Sequence, residues 1–130
     1  MSEDKATYYL TTAIDYVNGR PHMGHAMEKV GADVVARRRR ARGFDVWLVL
    51  GSDEHSISVA KEARAQGKTP EQYCAEMDVV WREFWGRYQI TFSEYVRSST
   101  DANRATTREF MQRIYDAGHI YKGKYEGWYC

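Results

Sequence analysis

The sequence predicts an α/β fold, one half of a doubly wound parallel sheet, and three observations carry that expectation. The elements run strand, helix, strand, helices, strand, helix, which is the order of parallel strands joined by right-handed crossovers. The stretch Phe44–Leu50 ends in a continuous apolar run, as suits a strand buried in a parallel sheet. Polar residues gather where two strands run out. One group is Gly51-Ser52-Asp53-Glu54-His55-Ser56, and the other is a turn-rich crossing with Gly19, Pro21 and Gly24. The carboxyl ends of strands are where open α/β sheets place ligands.

In chain order, Thr7–Thr12 reads as a buried strand. A helix follows from Gly24 to Arg42, with Met27, Val30, Val34 and Ala41 on one face and Gly43 as the stop. Arg37-Arg38-Arg39-Arg40 near its end points in four directions, so it reads as solvated charge favoured by the helix dipole, with an RNA or partner contact as the alternative. After the second strand, a helix is expected from about Ser56 to Ala65, closed by Gly67. Thr69-Pro70-Glu71-Gln72 is a capping box with proline in the first turn, and its helix runs to about Tyr88. Met77, Trp81, Phe84, Trp85 and Tyr88 form a stripe at helical spacing, which reads as core. Tyr95-Val96-Arg97 is a short strand. Ser98 to Asp101 offers several caps for a helix through Ala117, with Phe110, Met111, Ile114 and Tyr115 inward. The aromatic tail from His119 to Cys130 reads as a hairpin or the start of a new strand.

Composition narrows the function classes. The net charge is +1, so there is no global basic field to argue for nucleic acid, and an RNA contact would be local. No apolar run approaches the ~20 residues that span a bilayer. The acidic start Met1-Ser2-Glu3-Asp4-Lys5 is neither a secretory signal nor an Arg-rich transit peptide, and a cytoplasmic protein is expected. Cys74 and Cys130 form no C-x-x-C pair, and Cys74 reads as a free thiol.

The chemistry centres on the crossing. A strand that feeds a polar loop onto a helix start builds an anion site, because the first N–H groups of the helix lack internal partners and sit at the positive end of its dipole. His22-Met23-Gly24-His25 supplies two imidazoles able to donate to phosphate oxygens and a glycine that permits close approach. Taken alone, either histidine is equally a surface residue or a helix cap. Asp53, at a strand's carboxyl end, suits an ammonium group or a metal, or else caps the next helix, and Glu54 could be the exposed member of the pair.

Taken together, the run Thr11–His25, the segment Gly51-Ser52-Asp53-Glu54-His55 and the tail Tyr121-Lys122-Gly123 with Tyr125-Glu126-Gly127-Trp128-Tyr129-Cys130 resemble the methionyl-tRNA synthetase family, over nearly the whole chain. H-x-G-H is shared by class I synthetases and some nucleotidyltransferases, while D-E-H with the Thr11–His22 pattern points to the methionine enzymes. The resemblance implies the N-terminal half of the Rossmann-like catalytic domain over residues 1–117 and the start of a connective, zinc-knuckle insertion over 118–130. It implies ATP contacts by His22, Gly24 and His25, with both histidines catalytic. It implies methionine contacts by Ala13, Ile14, Tyr16 and Asp53, with the Ile14 N–H at the thioether and Asp53 at the ammonium. Lys122, Gly123, Glu126 and Trp128 would begin the insertion, and Cys130 would be its first zinc ligand. The implied reaction is ATP-dependent methionine activation with Mg2+, then transfer to initiator and elongator methionine tRNA. Neither membrane nor DNA has a part in it.

Some residues depart from the family pattern. Ser56 stands where glycine is usual, a change expected to tilt the start of the helix or narrow the pocket. Ala13 and Asp15 stand where proline and tyrosine are frequent, and Ser52 where threonine is common. A K-M-S-K-S loop, a second half-sheet and an anticodon-binding domain are missing from these residues. The chain therefore reads as a truncated synthetase whose own activity is weak or absent. A rival reading is a non-catalytic fragment or paralogue that binds nucleotide or a partner. Other class I synthetases and small nucleotidyltransferases with H-x-G-H are further rivals.

Overall fold

The computed structural model describes residues 5–124, 126 and 127. The chain divides into two compact units, Met1–Ser99 and Thr100–Cys130.

The first unit is built on a parallel sheet around β3 (Asp45–Asp53). β1 (Thr7–Thr11) pairs with its first half and β2 (Asp15–Tyr16) with its end, and β4 (Glu94–Arg97) pairs with Val49–Ser52. Val49 has partners in both β1 and β4, and Ser52 in both β2 and β4. β4 therefore lies along one edge of β3, and β1 and β2 follow one another along the opposite edge. β2 was invisible in the sequence because two residues give no periodicity.

α1 (Met23–Ala41), α2 (Ile57–Ala65) and α3 (Pro70–Arg87) follow the expected order. Thr69 caps α3 through the predicted box, its Oγ1 accepting from the Gln72 N–H at 3.2 Å. Gly43 closes α1 with φ +88°, a left-handed conformation that favours glycine. Trp81 and Trp85 of α3 are fully buried with Leu48 and Leu50 of β3, and Met77, Tyr73 and Val59 belong to the same core. The aromatic stripe is core as read, except that Tyr88, at its end, is exposed.

Two strand expectations change. β1 is half-buried rather than buried, because Tyr8 and Leu10 face the core while Tyr9 is 63% exposed. In β3 the core face carries Val46, Leu48 and Leu50, while Trp47, the register partner of Tyr9, is exposed on the other face. The apolar run thus alternates between buried and exposed positions over Asp45–Leu48.

α1 overturns its predicted face. Met27 is 81% exposed, and Val30 and Val34 are exposed as well. The inward face is Ala26, Lys29, Asp33 and Ala36. Small residues let the helix lie close to the sheet, and the two buried charges are paired. Asp33 accepts from Arg37 Nε at 2.6 Å, from the Thr91 N–H at 2.8 Å and from the Thr91 hydroxyl. Arg40 reaches the Thr91 carbonyl O at 2.9 Å, and Arg39 stacks on Tyr8 at 4.5 Å. Three arginines of the run are therefore docking groups for the Gln89–Thr91 turn and β1, and they are not simply solvated.

α2 begins one residue beyond its cap, Ser56, whose Oγ accepts from the Val59 N–H at 3.1 Å. The serine that departs from the family pattern supplies a cap. Ser56→Ala is expected to cost about 1 kcal/mol and Ser56→Gly only a few tenths, measured by urea unfolding.

The second unit holds α4 (Asp101–Asp116), capped by Thr100. No residue of α4 is buried, and Phe110, Met111 and Tyr115 are exposed, so the expected inward face is not buried among the described residues. Among the described residues from His119 to Gly127 there is no strand, and the expected hairpin is not formed there.

Candidate functional site

The start of α1 is a capping box made of two imidazoles. His22 is the N-cap, and its Nδ1 accepts from the Gly24 N–H at 3.1 Å. His25 Nδ1 accepts from the His22 N–H at 3.2 Å. A neutral imidazole that accepts at Nδ1 carries its proton on Nε2. Both rings therefore present Nε2–H as donors, and they lie close together with centroids 3.9 Å apart and planes tilted by 35°. His22 is exposed, while His25 is half-buried against the Trp81 ring, 4.9 Å away, and turns its Nε2 towards Asp15 Oδ1 at 4.0 Å. The cap and donor readings of these histidines thus coincide: one nitrogen of each ring shapes the helix start and the other is left for chemistry.

Burial lowers the His25 pKa below its ordinary 6.5, against the pull of Asp15 and helped by His22 and Lys29. A basic group whose folded value lies below its unfolded one is protonated first in the unfolded chain. Its share of stability is present above about 6.5 and is lost as pH falls through the folded value. The melting temperature is expected to fall between about pH 7 and pH 5, and to fall less steeply in His25→Gln.

The segment between β1 and β2 carries the next residues. Thr11 stands opposite Val49, but Asp15, four residues on, stands opposite Ser52, three residues on, so one extra residue bulges here. Neighbouring side chains of α1 clamp the bulge. Glu28 Oε1 accepts from the Ala13 N–H at 2.9 Å, and Lys29 Nζ donates to the Ala13 carbonyl O at 3.0 Å. Lys29, with no exposed surface, also meets Asp15 Oδ2 at 2.7 Å and Glu28 Oε2 at 2.8 Å. Ile14 packs over Gly51, and Tyr16 is the register partner of Asp53. Ile14 and Tyr16 are both about half exposed.

Asp53 Oδ1 accepts from the His55 N–H at 3.1 Å and the Ser98 hydroxyl at 3.4 Å, so it shapes the turn and does not cap α2, which is Ser56's role. Glu54 is the buried member of the pair. It is held by Arg97 Nε at 2.6 Å, by Ser52 Oγ at 3.3 Å and by the Ser99 hydroxyl. Asp53 is thereby the carboxylate left at the strand end beside Tyr16.

The structure thus gathers Ala13, Ile14, Tyr16 and Asp53 at the carboxyl end of β3 and joins them to His25 through Asp15. Gly24 lies in a separate apolar hollow of about 410 Å³ with Met23, Met27, Val30 and Tyr88. Lys29, Glu28 and Asp15 were missed as site residues. The available signal was Asp15 itself, an acid between apolar neighbours near a strand end, and so in need of a cation. Among the described residues no three His, Cys, Asp or Glu side chains converge as a metal site. Burial pushes the Cys74 thiol up to about 11, unsuited to metal binding. Cys130 and Trp128 lie outside the described residues.

The family model for class I tRNA synthetases (M) matches residues 8–130. The methionine–tRNA ligase of Thermotoga maritima is 37% identical over 95% of this chain and 20% of its own length, and that of Streptomyces coelicolor is 40% identical over 95% and 23%. The structure of the Mycobacterium tuberculosis methionyl-tRNA synthetase with methionyl-adenylate superposes with a TM-score of 0.84, at 33% identity over 87% of this chain and 22% of that one. The LeuRS of Agrobacterium radiobacter, in a ternary complex with tRNA and LeuAMS, superposes at 0.85 with 20% identity, a likeness of fold. The chain spans about a fifth of the length of the curated relatives it matches.

Proposed function

The chain belongs to the class I methionyl-tRNA synthetase family, and on that premise we propose that its first unit carries one wall of a methionine and ATP site. Residues 1–117 are assigned to the first half of the catalytic domain and 118–130 to the start of the connective insertion. The observation that carries the reading is the pair of imidazoles capping α1, with His25 4.0 Å from Asp15 in the segment that also holds Ile14 and Tyr16.

In the proposed reaction a methionine carboxylate oxygen attacks the α-phosphorus of ATP, pyrophosphate leaves, and the methionyl group then passes to the terminal ribose of methionine tRNA. No protein nucleophile is required. His22 and His25 donate from Nε2 to phosphate oxygens as charge builds on them, and Gly24 leaves room for the nucleotide. Asp53 takes the methionine ammonium, with Ala13, Ile14 and Tyr16 along the side chain. Mg2+ arrives with ATP. A zinc site would begin at Cys130. Initiator and elongator methionine tRNAs are the proposed partners, in the cytoplasm. No described helix is long and apolar enough to cross a membrane.

Methionine with ATP is expected to raise the melting temperature of the chain, and leucine with ATP to raise it less. Equal protection by the two amino acids would overturn the methionine assignment. In ATP–pyrophosphate exchange, the 130-residue chain by itself is expected to turn over far more slowly than the full-length Thermotoga maritima enzyme. Comparable turnover would refute that expectation.

A further inference from the structure

We propose that Lys29 is a positioning residue of this site: its buried ammonium draws Asp15 away from His25 and fixes the Ala13 peptide ahead of Ile14. The proposal rests on reading the α1 start as the nucleotide site.

The geometry is specific. Lys29 has three oxygens around its ammonium, from Ala13 at 3.0 Å, Glu28 at 2.8 Å and Asp15 at 2.7 Å. Its hydrogen bonds go to the Ala13 carbonyl O and to Glu28, while Asp15 is held as an ion pair and its Oδ2 accepts no hydrogen bond. Asp15 uses Oδ2 on Lys29 and leaves Oδ1 at 4.0 Å from His25 Nε2, beyond hydrogen-bond reach. The groups facing His25 are Asp15 from β2, His22, Glu28 and Lys29 from α1 and its cap, and the Trp81 ring from α3. Of the carboxylates, Asp15 pulls hardest towards a charged ring.

Without Lys29, Asp15 would be a nearly buried carboxylate free to close the 4.0 Å gap to the His25 Nε2–H. Taking it would withdraw that donor from a phosphate and set a negative charge beside it. A lysine that merely filled the core would leave the His25 titration unchanged when replaced.

The test is the NMR titration of the His25 ring in the 130-residue chain. Lys29→Met is expected to raise the midpoint by about one unit, since it removes a nearby cation and frees the carboxylate. Asp15→Asn, which keeps Lys29 paired with Glu28 and Ala13, is expected to lower it. The double variant should return it towards the wild-type value. Should Lys29→Met fail to fold, Asp15→Asn decides alone. Midpoints unchanged from wild type in the folded variants would overturn the proposal. Titration of the same samples with ATP separates the two ideas. ATP is expected to bind the wild type and to bind Lys29→Met several-fold more weakly. A wild type that binds no ATP sinks the nucleotide-site reading, and the His25 midpoints still decide whether Lys29 controls the ring.

Discussion

Gly51→Ala is expected to destabilise the chain by about 3 kcal/mol, the upper end of what overpacking costs. A Cβ at Gly51 would lie 2.6 Å from Val96 Cγ2, 2.7 Å from the Val96 carbonyl O and 2.9 Å from Ile14 Cγ2. The valine methyl could rotate away, but the carbonyl belongs to β4, whose Val96 is the register partner of Gly51. Relief therefore requires β3 and β4 to part, or Ile14 to leave the sheet end. Either movement disturbs the segment that carries the proposed methionine contacts. Urea unfolding should show a lower midpoint at an unchanged slope. A midpoint equal to wild type would mean that the sheet end is looser than described.

The second large effect is expected at Asp33. Asp33→Ala removes an acceptor shared by the Thr91 N–H, the Thr91 hydroxyl and Arg37. The Thr91 amide is left without that partner, and the Gln89–Thr91 turn keeps only its Arg37 and Arg40 anchors to α1. Gln89 holds φ +53°, an uncommon conformation for a residue with a side chain, so this turn depends on its anchors. A loss of about 3 kcal/mol is expected, typical of removing one member of a mostly buried charged network. Burial by itself would raise the Asp33 pKa, but the Thr91 and Arg37 bonds outweigh it and hold the carboxyl below its ordinary 3.8. A depressed carboxylate gives stability that is full above the unfolded value and lost as pH falls through the folded one. Asp33→Asn should therefore flatten the acid limb of the stability curve as well as lower its plateau. An acid limb unchanged in Asp33→Asn would assign that pH dependence to other groups.

Much of the fold was legible because its signals are local. Thr69-Pro70-Glu71-Gln72 placed the start of α3, and the Trp81 and Trp85 spacing placed its buried face. The order of strands and helices gave a parallel sheet. What could not be read depended on partners distant in sequence. α1 hides Lys29 and Asp33 and exposes Met27 and Val34, because its inward charges are matched by Asp15, Thr91 and the Ala13 carbonyl. Periodicity weighs hydrophobicity along one helix and does not see those partners. β3 read as buried on both faces because its run is apolar, yet Trp47 is exposed.

The candidate site was legible as residue types and only partly as an arrangement. His22 and His25 stood out as a motif, and the cap reading of them was weighed against the phosphate reading. The reciprocal bonds through the two Nδ1 atoms make these one device. Asp53 and Glu54 were indistinguishable in sequence. Arg97, 43 residues away, takes Glu54 into the interior and leaves Asp53 beside Tyr16.

The central claim is that the α1 start and the end of β3 form one wall for a methionyl nucleotide. The most direct measurement is chemical-shift mapping of the chain titrated with a non-hydrolysable methionyl-adenylate analogue, with the leucyl analogue as control. The largest changes are expected at Ala13–Tyr16, His22–His25 and Asp53, at lower concentration for the methionyl compound. Changes confined to other surfaces, such as the Arg20 and Arg87 hollow, or no difference between the two compounds, would contradict it.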